Sequence, residues 1–170
     1  IVERTCGELH KPVQCELGGK NPIIVLEDAD LEQAASATAT GAFGSTGQRC
    51  TATSRAIVHA SVADEFVERV AALGRAVVPG HPLLETTTMG PSVSERQMEK
   101  VLSYHAVAES DGAEKIIGGG RFTEGDLARG FFPVPTIYDR AGADSRIATE
   151  EIFGPFLTVI RVDSVEEAIA

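Results

Sequence analysis

The sequence is short of basic residues: Lys and Arg number 15 against 25 Asp and Glu, for a net charge of −10. A nucleic-acid groove needs clustered Lys and Arg against the phosphates, so this balance argues against that class of partner. Cysteine is scarce as well. Cys6, Cys15 and Cys50 make neither an even-numbered disulfide framework nor a Cys-x-x-Cys pair. His10, His59, His81 and His105 stand apart from one another, so no metal-ligand cluster is in view. No apolar run approaches the roughly 18 residues that span a bilayer. Residues 1–15 carry Glu3, Arg4, Glu8 and Lys11 and lack the apolar core of a secretion signal. A basic amphipathic helix, an internal repeat and a low-complexity tract are equally missing. Together these absences lead us to expect a reducing, cytoplasmic setting with no metal, no membrane and no nucleic acid.

What is present is about one domain's worth of chain: 170 residues, 43% hydrophobic and 24% charged. Residues 1–10 read as a helix with Val2, Cys6 and Leu9 on one side, and residues 13–17 as extended. Gly18-Gly19-Lys20-Asn21-Pro22 is a turn cluster. The bounded apolar run 23–26 reads as a strand buried on both faces. Asp28 or Asp30 caps a helix carrying Leu31, Ala34, Ala35, Thr38 and Phe43, which ends at Gly44-Ser45-Thr46-Gly47. A strand at 55–59 precedes a helix capped by Ser61, with Val62, Phe66, Val67, Val70 and Leu73 on its inner face. A loop follows over 79–91. Ser92 or Ser94 opens a helix with Met98, Val101, Leu102 and His105 inward. Strands at 115–117, 134–138 and 156–162 complete the pattern, and Ser164 caps a further helix start. This alternation predicts an α/β fold: a parallel sheet with helices on both faces, in three layers.

Three sites carry candidate chemistry. Cys50 follows a helix and a glycine loop, with Arg49 adjacent, as reactive thiols do; a lone cysteine is also commonly a small buried hydrophobe. For Cys6 and Cys15 that second reading is the expectation. Glu16 lies between Cys15 and Leu17, where apolar surroundings would raise its pKa toward that of a general base; a salt-bridged strand end is the alternative. Glu150-Glu151-Ile152-Phe153-Gly154-Pro155 sets two acids before an aromatic and a Gly-Pro turn, either a loop mouth that holds hydroxyls or a solvated helix start.

Taken together, Glu16-Leu17-Gly18-Gly19-Lys20-Asn21-Pro22, Gly47-Gln48-Arg49-Cys50 and Glu150 to Pro155 resemble the three signature regions of the aldehyde dehydrogenase superfamily, in its order and at its separations. Glu16 and Cys50 are 34 residues apart, and Cys50 and Glu151 are 101 apart. Gly90-Pro91 followed by Gln97 and Lys100 is similar to the family's ribose-contact helix. The resemblance covers the whole chain. It implies the family's three-layer catalytic domain and an NAD- or NADP-dependent oxidation of an aldehyde to a carboxylic acid. In that reaction Cys50 is the nucleophile, passing through a thiohemiacetal and a thioester, with its peptide N–H as one oxyanion donor. Glu16 is the general base. Glu151 holds the nicotinamide ribose, Phe153 lies beside the nicotinamide, and Gln97 and Lys100 contact ribose.

The resemblance further implies that residues 1–18 are the tail of a cofactor-binding domain and 19–170 a catalytic domain incomplete at its C-terminus. The chain is then a segment of a longer, homo-oligomeric parent and inactive as a dehydrogenase by itself. Arg49 beside the nucleophile implies an aldehyde with a distal carboxylate. The run from Ser45 to Ala52, with Ser54-Arg55, looks most like the 2-oxoglutarate semialdehyde (2,5-dioxopentanoate) dehydrogenases. Succinate semialdehyde and glyceraldehyde-3-phosphate are neighbouring choices. A cofactor-independent thiol esterase and a non-catalytic subunit-contact fragment are the alternatives of a different class.

Overall fold

Apolar residues at alternate positions decide which side of each strand meets which helix. The computed structural model describes residues 1–170. In chain order it contains α1 (Val2–Glu8), β1 (Asn21–Val25), α2 (Leu31–Phe43), β2 (Thr53–His59), α3 (Ala60–Arg75), α4 (Glu95–Ser110), β3 (Glu114–Ile117), β4 (Thr136–Asp139), α5 (Arg146–Thr149), β5 (Phe156–Val162) and α6 (Val165–Ile169). The strands form one sheet in the order β1-β2-β5-β4-β3. Four run parallel, and β3 is antiparallel to β4. The expectation of a parallel sheet is corrected at that edge. The link from β3 to β4 holds only a 3-10 turn at Gly125–Arg129, and a connection without a crossover helix brings the chain back antiparallel.

β5 lies in the middle and is buried on both faces. Leu157 and Val159 face a core shared with Val25, Ala56, Val58 and Ile137 and covered by α2 and α3. Phe156 and Ile160 face the other way, toward Tyr138, the Val101 and Tyr104 of α4, and the Ile147 of α5. Each large apolar side chain buried fully in this way contributes about 1.5–3 kcal/mol. On α2 the buried positions are mostly small (Ala35, Thr38, Ala42), which lets α3 pack close. α3 buries Ala63, Phe66, Val67, Val70, Ala71 and Gly74, a 3.6-residue repeat. Leu73, expected on that face, falls at its rim and is 41% exposed.

The helix starts are capped much as their sequences suggest. Asp30 accepts from the N–H groups of Glu32 and Gln33, Ser94 from Gln97 and Ser164 from Glu167. α3 differs. It begins at Ala60, so His59 and not Ser61 is its cap, with Nδ1 accepting from the Ser61 N–H.

β1 also departs from expectation. It is an edge strand, and Ile24 is 44% exposed. α1 buries no residue at all, and residues 11–18 are exposed. No helix is long and apolar enough to cross a membrane. One ion pair ties β4 to β5. The Asp139 carboxylate, 2% exposed, accepts from Arg161 Nε at 3.2 Å and Nη2 at 2.5 Å, and Asp64 of α3 takes Nη1 at 2.7 Å. These carboxylates hold the Arg161 guanidinium firmly in its charged form.

His105 faces the sheet from α4. Its ring stacks on Phe156 at 5.7 Å, Tyr138 Oη lies 3.4 Å from Nδ1, and Nε2 is buried without a partner. Burial first, and then the nearby Lys115, push its pKa below 6.5, while Glu109 opposes them. The unfolded chain therefore takes up a proton that the folded one resists. Stability is expected to fall as pH drops below about 6.5, levelling off below the folded-state pKa. Urea unfolding between pH 7.5 and 5 tests this, and His105→Leu is expected to flatten the profile. The same slope in that variant would assign the titration to another group.

Candidate active site

β1, β2 and β5 are hydrogen-bonded neighbours running in one direction, so the segments entering them meet at one edge of the sheet. Those segments are 16–20, 48–52 and 150–155, the three runs singled out in the sequence. An open cavity of about 420 Å³ lies between them. Its wall brings together Cys50, Glu16, Arg49, Glu151, Phe153, Gln97 and Lys100, completed by Leu17, Gly18 and Gln48.

Cys50 is an exposed free thiol in a turn closed by a hydrogen bond from Ala52 N–H to Arg49 O at 3.0 Å. Asn21 clamps that turn from β1: its Nδ2 donates to Cys50 O at 2.5 Å and to Ala52 O at 3.2 Å. Upstream, Ser45, Thr46 and Gly47 take left-handed φ of 52°, 59° and 64°. A β-branched residue is strained there. The buried Thr46 is held by its hydroxyl, which donates to Gly90 O at 2.9 Å. Gln48 fastens the same loop by accepting from Val93 N–H at 2.9 Å. The peptide N–H of Cys50 has no acceptor within the chain.

Arg49 is exposed and takes part in no ion pair. Glu16 is exposed too, with Gln14 Nε2 donating to its Oε1 at 2.9 Å. The apolar surroundings expected from Cys15 and Leu17 are absent, because nothing packs over this extended segment and both neighbours are exposed. Cys15 is accordingly not the buried hydrophobe that its flanks suggested.

The Glu151 carboxylate lies directly over Gly18, where a Cβ would come within 2.3 Å of Oε2. Its Oε1 accepts from the Gly19 N–H at 3.1 Å, and Oε2 has no partner. Glu150 is turned the other way. Arg146 and Tyr104 donate to it, and those hydrogen bonds, Arg146's first, hold its carboxyl below the usual range. Gln97 and Lys100 fasten the loop itself. Gln97 Nε2 donates to Ile152 O at 3.0 Å and Phe153 O at 2.8 Å, and Lys100 Nζ donates to Glu151 O at 2.8 Å. Phe153 holds a left-handed φ of 61° within that loop.

Asn21, Gln48 and Lys20 were not singled out in the sequence as site residues. A polar residue after a glycine pair reads as turn chemistry, and spacing alone does not reveal an amide reaching across to another strand's loop. No group of three or more His, Cys, Asp or Glu is placed to hold a metal ion.

The aldehyde dehydrogenase family model matches residues 1–170. The chain is 46% identical over 156 residues to the alpha-ketoglutaric semialdehyde dehydrogenase of Bacillus subtilis, covering 92% of this chain and 32% of that protein. It is also 46% identical over 168 residues to the peroxisomal aminoaldehyde dehydrogenase 1 of Pisum sativum, covering 99% and 33%. Among solved structures, the betaine aldehyde dehydrogenase of Staphylococcus aureus in complex with NAD⁺ superposes with a TM-score of 0.92 at 34% identity. That match covers 99% of this chain and 33% of the other. The chain thus spans about a third of the length of the curated relatives it matches.

Two glycines, Gly18 in the cavity wall and Gly47 in the loop before Cys50, separate local from structural effects. Gly47 has a φ of 64°, and a Cβ there would stand 2.0 Å from the Gly154 backbone oxygen. Gly47→Ala is expected to destabilise the fold by about 2 kcal/mol or more, from backbone strain and overpacking. Gly18→Ala meets only the free end of the Glu151 side chain, so it should shift stability by less than about 0.5 kcal/mol while displacing that carboxylate. Urea midpoints of the two variants check this, and equal losses would contradict it.

Proposed function

The chain belongs to the aldehyde dehydrogenase family, and from that premise we propose that it carries the thiol-nucleophile centre of an NAD(P)-dependent oxidation of an aldehyde to a carboxylic acid. The observation that supports this most is a single cavity shared by a free thiol, two carboxylates and an unpaired guanidinium. Cys50 Sγ, exposed to solvent and able to lose its proton there, adds to the aldehyde carbon as the thiolate. The unbonded peptide N–H of Cys50 donates to the developing oxyanion. The product of this addition is a thiohemiacetal, whose carbon gives up hydride to become a thioester. Water, deprotonated by Glu16, then adds to the thioester carbonyl and expels the Cys50 thiolate with release of the acid.

The residues present fit a nicotinamide riboside. Glu151 Oε2 is a free acceptor for ribose hydroxyls, and the Phe153 ring lines the same cavity. When bound, the nicotinamide supplies the hydride acceptor. NAD is the proposed cofactor, being the one that the S. aureus relative holds. Gln97 keeps its Oε1, and Lys100 two further N–H groups, for ribose beyond the backbone bonds that they already make. The chain alone, at a third of its relatives' length, is proposed not to turn over aldehydes; the full-length protein is the enzyme.

For the substrate we propose an aldehyde with a distal carboxylate, such as 2-oxoglutarate semialdehyde. Arg49 has no acidic partner, so its guanidinium is free to take a substrate carboxylate in a bidentate pair. The same charge repels a cationic aminoaldehyde.

Cys50→Ala is expected to abolish aldehyde oxidation. Iodoacetamide at neutral pH should label Cys50 ahead of Cys15, which is exposed as well, because Arg49 adjoins only the former; peptide mapping that found equal rates would remove the assignment. Glu16→Gln should give a burst of NAD(P)H followed by slow turnover, as acyl-enzyme accumulates. An unchanged steady-state rate would leave Glu16 a structural residue. Arg49→Ala should lower kcat/KM for 2-oxoglutarate semialdehyde by about 10- to 100-fold, the scale of one lost charged hydrogen bond. Neutral and cationic aldehydes of like length should be unaffected or improved, and an equal fall for all three classes would count against the substrate role.

A further inference from the structure

Lys20 is the one buried cation at the site with nothing to donate to. Its Nζ is fully buried and has no hydrogen-bond partner. A buried ammonium in that state is costly, and such a group calls for a reason. The charges near it are Arg55 of β2, Lys100 of α4, and Glu150 and Glu151 of the loop before β5. Arg55 is fixed by its own bond, Nε to Lys20 O at 3.0 Å. Both oxygens of Glu150 are taken by Arg146 and Tyr104. Lys100 Nζ is on the backbone oxygen of Glu151. That leaves Glu151 as the one acid with a free oxygen. Its carboxylate sits over Gly18 and on the N–H of Gly19, immediately before Lys20 in the chain.

We propose that Lys20 is a positioning residue for Glu151: the charge on its buried amine holds that carboxylate over Gly18 and Gly19, in the place from which it takes ribose hydroxyls. This rests on the reading of Glu151 given above. Burial, and then the neighbouring Arg55, lower the Lys20 pKa from 10.5 to about 8, so the amine changes charge within the working range of an enzyme. Below that pH it is cationic and the carboxylate is held. Above it the hold is lost, and the affinity for cofactor falls with it.

The test is calorimetric titration of the full-length protein with NAD, without aldehyde, between pH 6.5 and 9.5. The Kd of the unmodified protein should rise about tenfold as pH passes through about 8. Lys20→Met should be weaker by a similar factor at pH 7 and insensitive to pH, whereas Lys20→Arg should stay tight across the range. A flat profile in the unmodified protein, or a rise that persists in Lys20→Met, would overturn the proposal. Glu151→Gln separates the two levels. If it binds NAD as well as the unmodified protein does, the ribose role of Glu151 fails and takes this proposal with it. If it binds weakly while Lys20→Met binds normally, only the role of Lys20 fails. Should the Lys20 variants not fold, the Glu151→Gln profile still decides, because its rise near pH 8 must be gone.

Discussion

Parallel pairing of β1, β2 and β5 is the constraint from which the site follows. Three strands that lie side by side and point the same way must be entered from the same edge. Residues separated by more than a hundred positions therefore share one cavity. Hydrogen bonds then tie the three entering segments to one another and to the stretch after Pro91. Asn21 holds the turn of Cys50, the Gly19 N–H holds Glu151, and Gln48 holds the stretch after Pro91. The segment from Glu16 to Asn21 is common to the first two of these contacts. It carries the candidate base at one end and the clamp on the turn of the candidate nucleophile at the other.

A chain with a net charge of −10 places three cations around this cavity, and each is used differently. Lys100 is spent on a backbone oxygen, Arg49 is exposed and unpaired, and Lys20 is buried without a partner. The two glutamates of the third run divide in the same way. Glu150 is fully occupied by Arg146 and Tyr104, which fixes the end of α5, and Glu151 keeps one oxygen free. Adjacent acids of identical type thus have unlike duties, decided by which basic or hydroxyl groups lie within reach.

The three runs were legible because glycines and reactive side chains at fixed separations are unusual in combination, and β2, α3, α4 and β5 were legible from periodicity. What escaped depended on tertiary neighbours. An apolar stretch such as 23–26 reads the same in a central strand as at an edge, and only the sheet order leaves Ile24 exposed. The reversal of β3 follows from a connection too poor in helix to cross over. The exposure of Glu16 and Cys15 depends on what lies above an extended segment, which their sequence neighbours do not report. α5, at four residues, is too short for a repeat to show.

β5 is the central strand of the sheet, yet it follows all four of the other strands in the chain. Its partners on either side, β2 and β4, cannot be joined until residues 156–162 have been made. The pairing that closes the sheet is therefore of long range, the kind that is slow to form because a large loop must close first. During synthesis the thiol-bearing turn exists for more than a hundred residues before the loop carrying Glu151 can come to rest against Gly18. A nascent chain halted anywhere short of β5 holds the Cys50 thiol without the loop that completes its cavity, so assembly of the cavity waits on the pairing of β5.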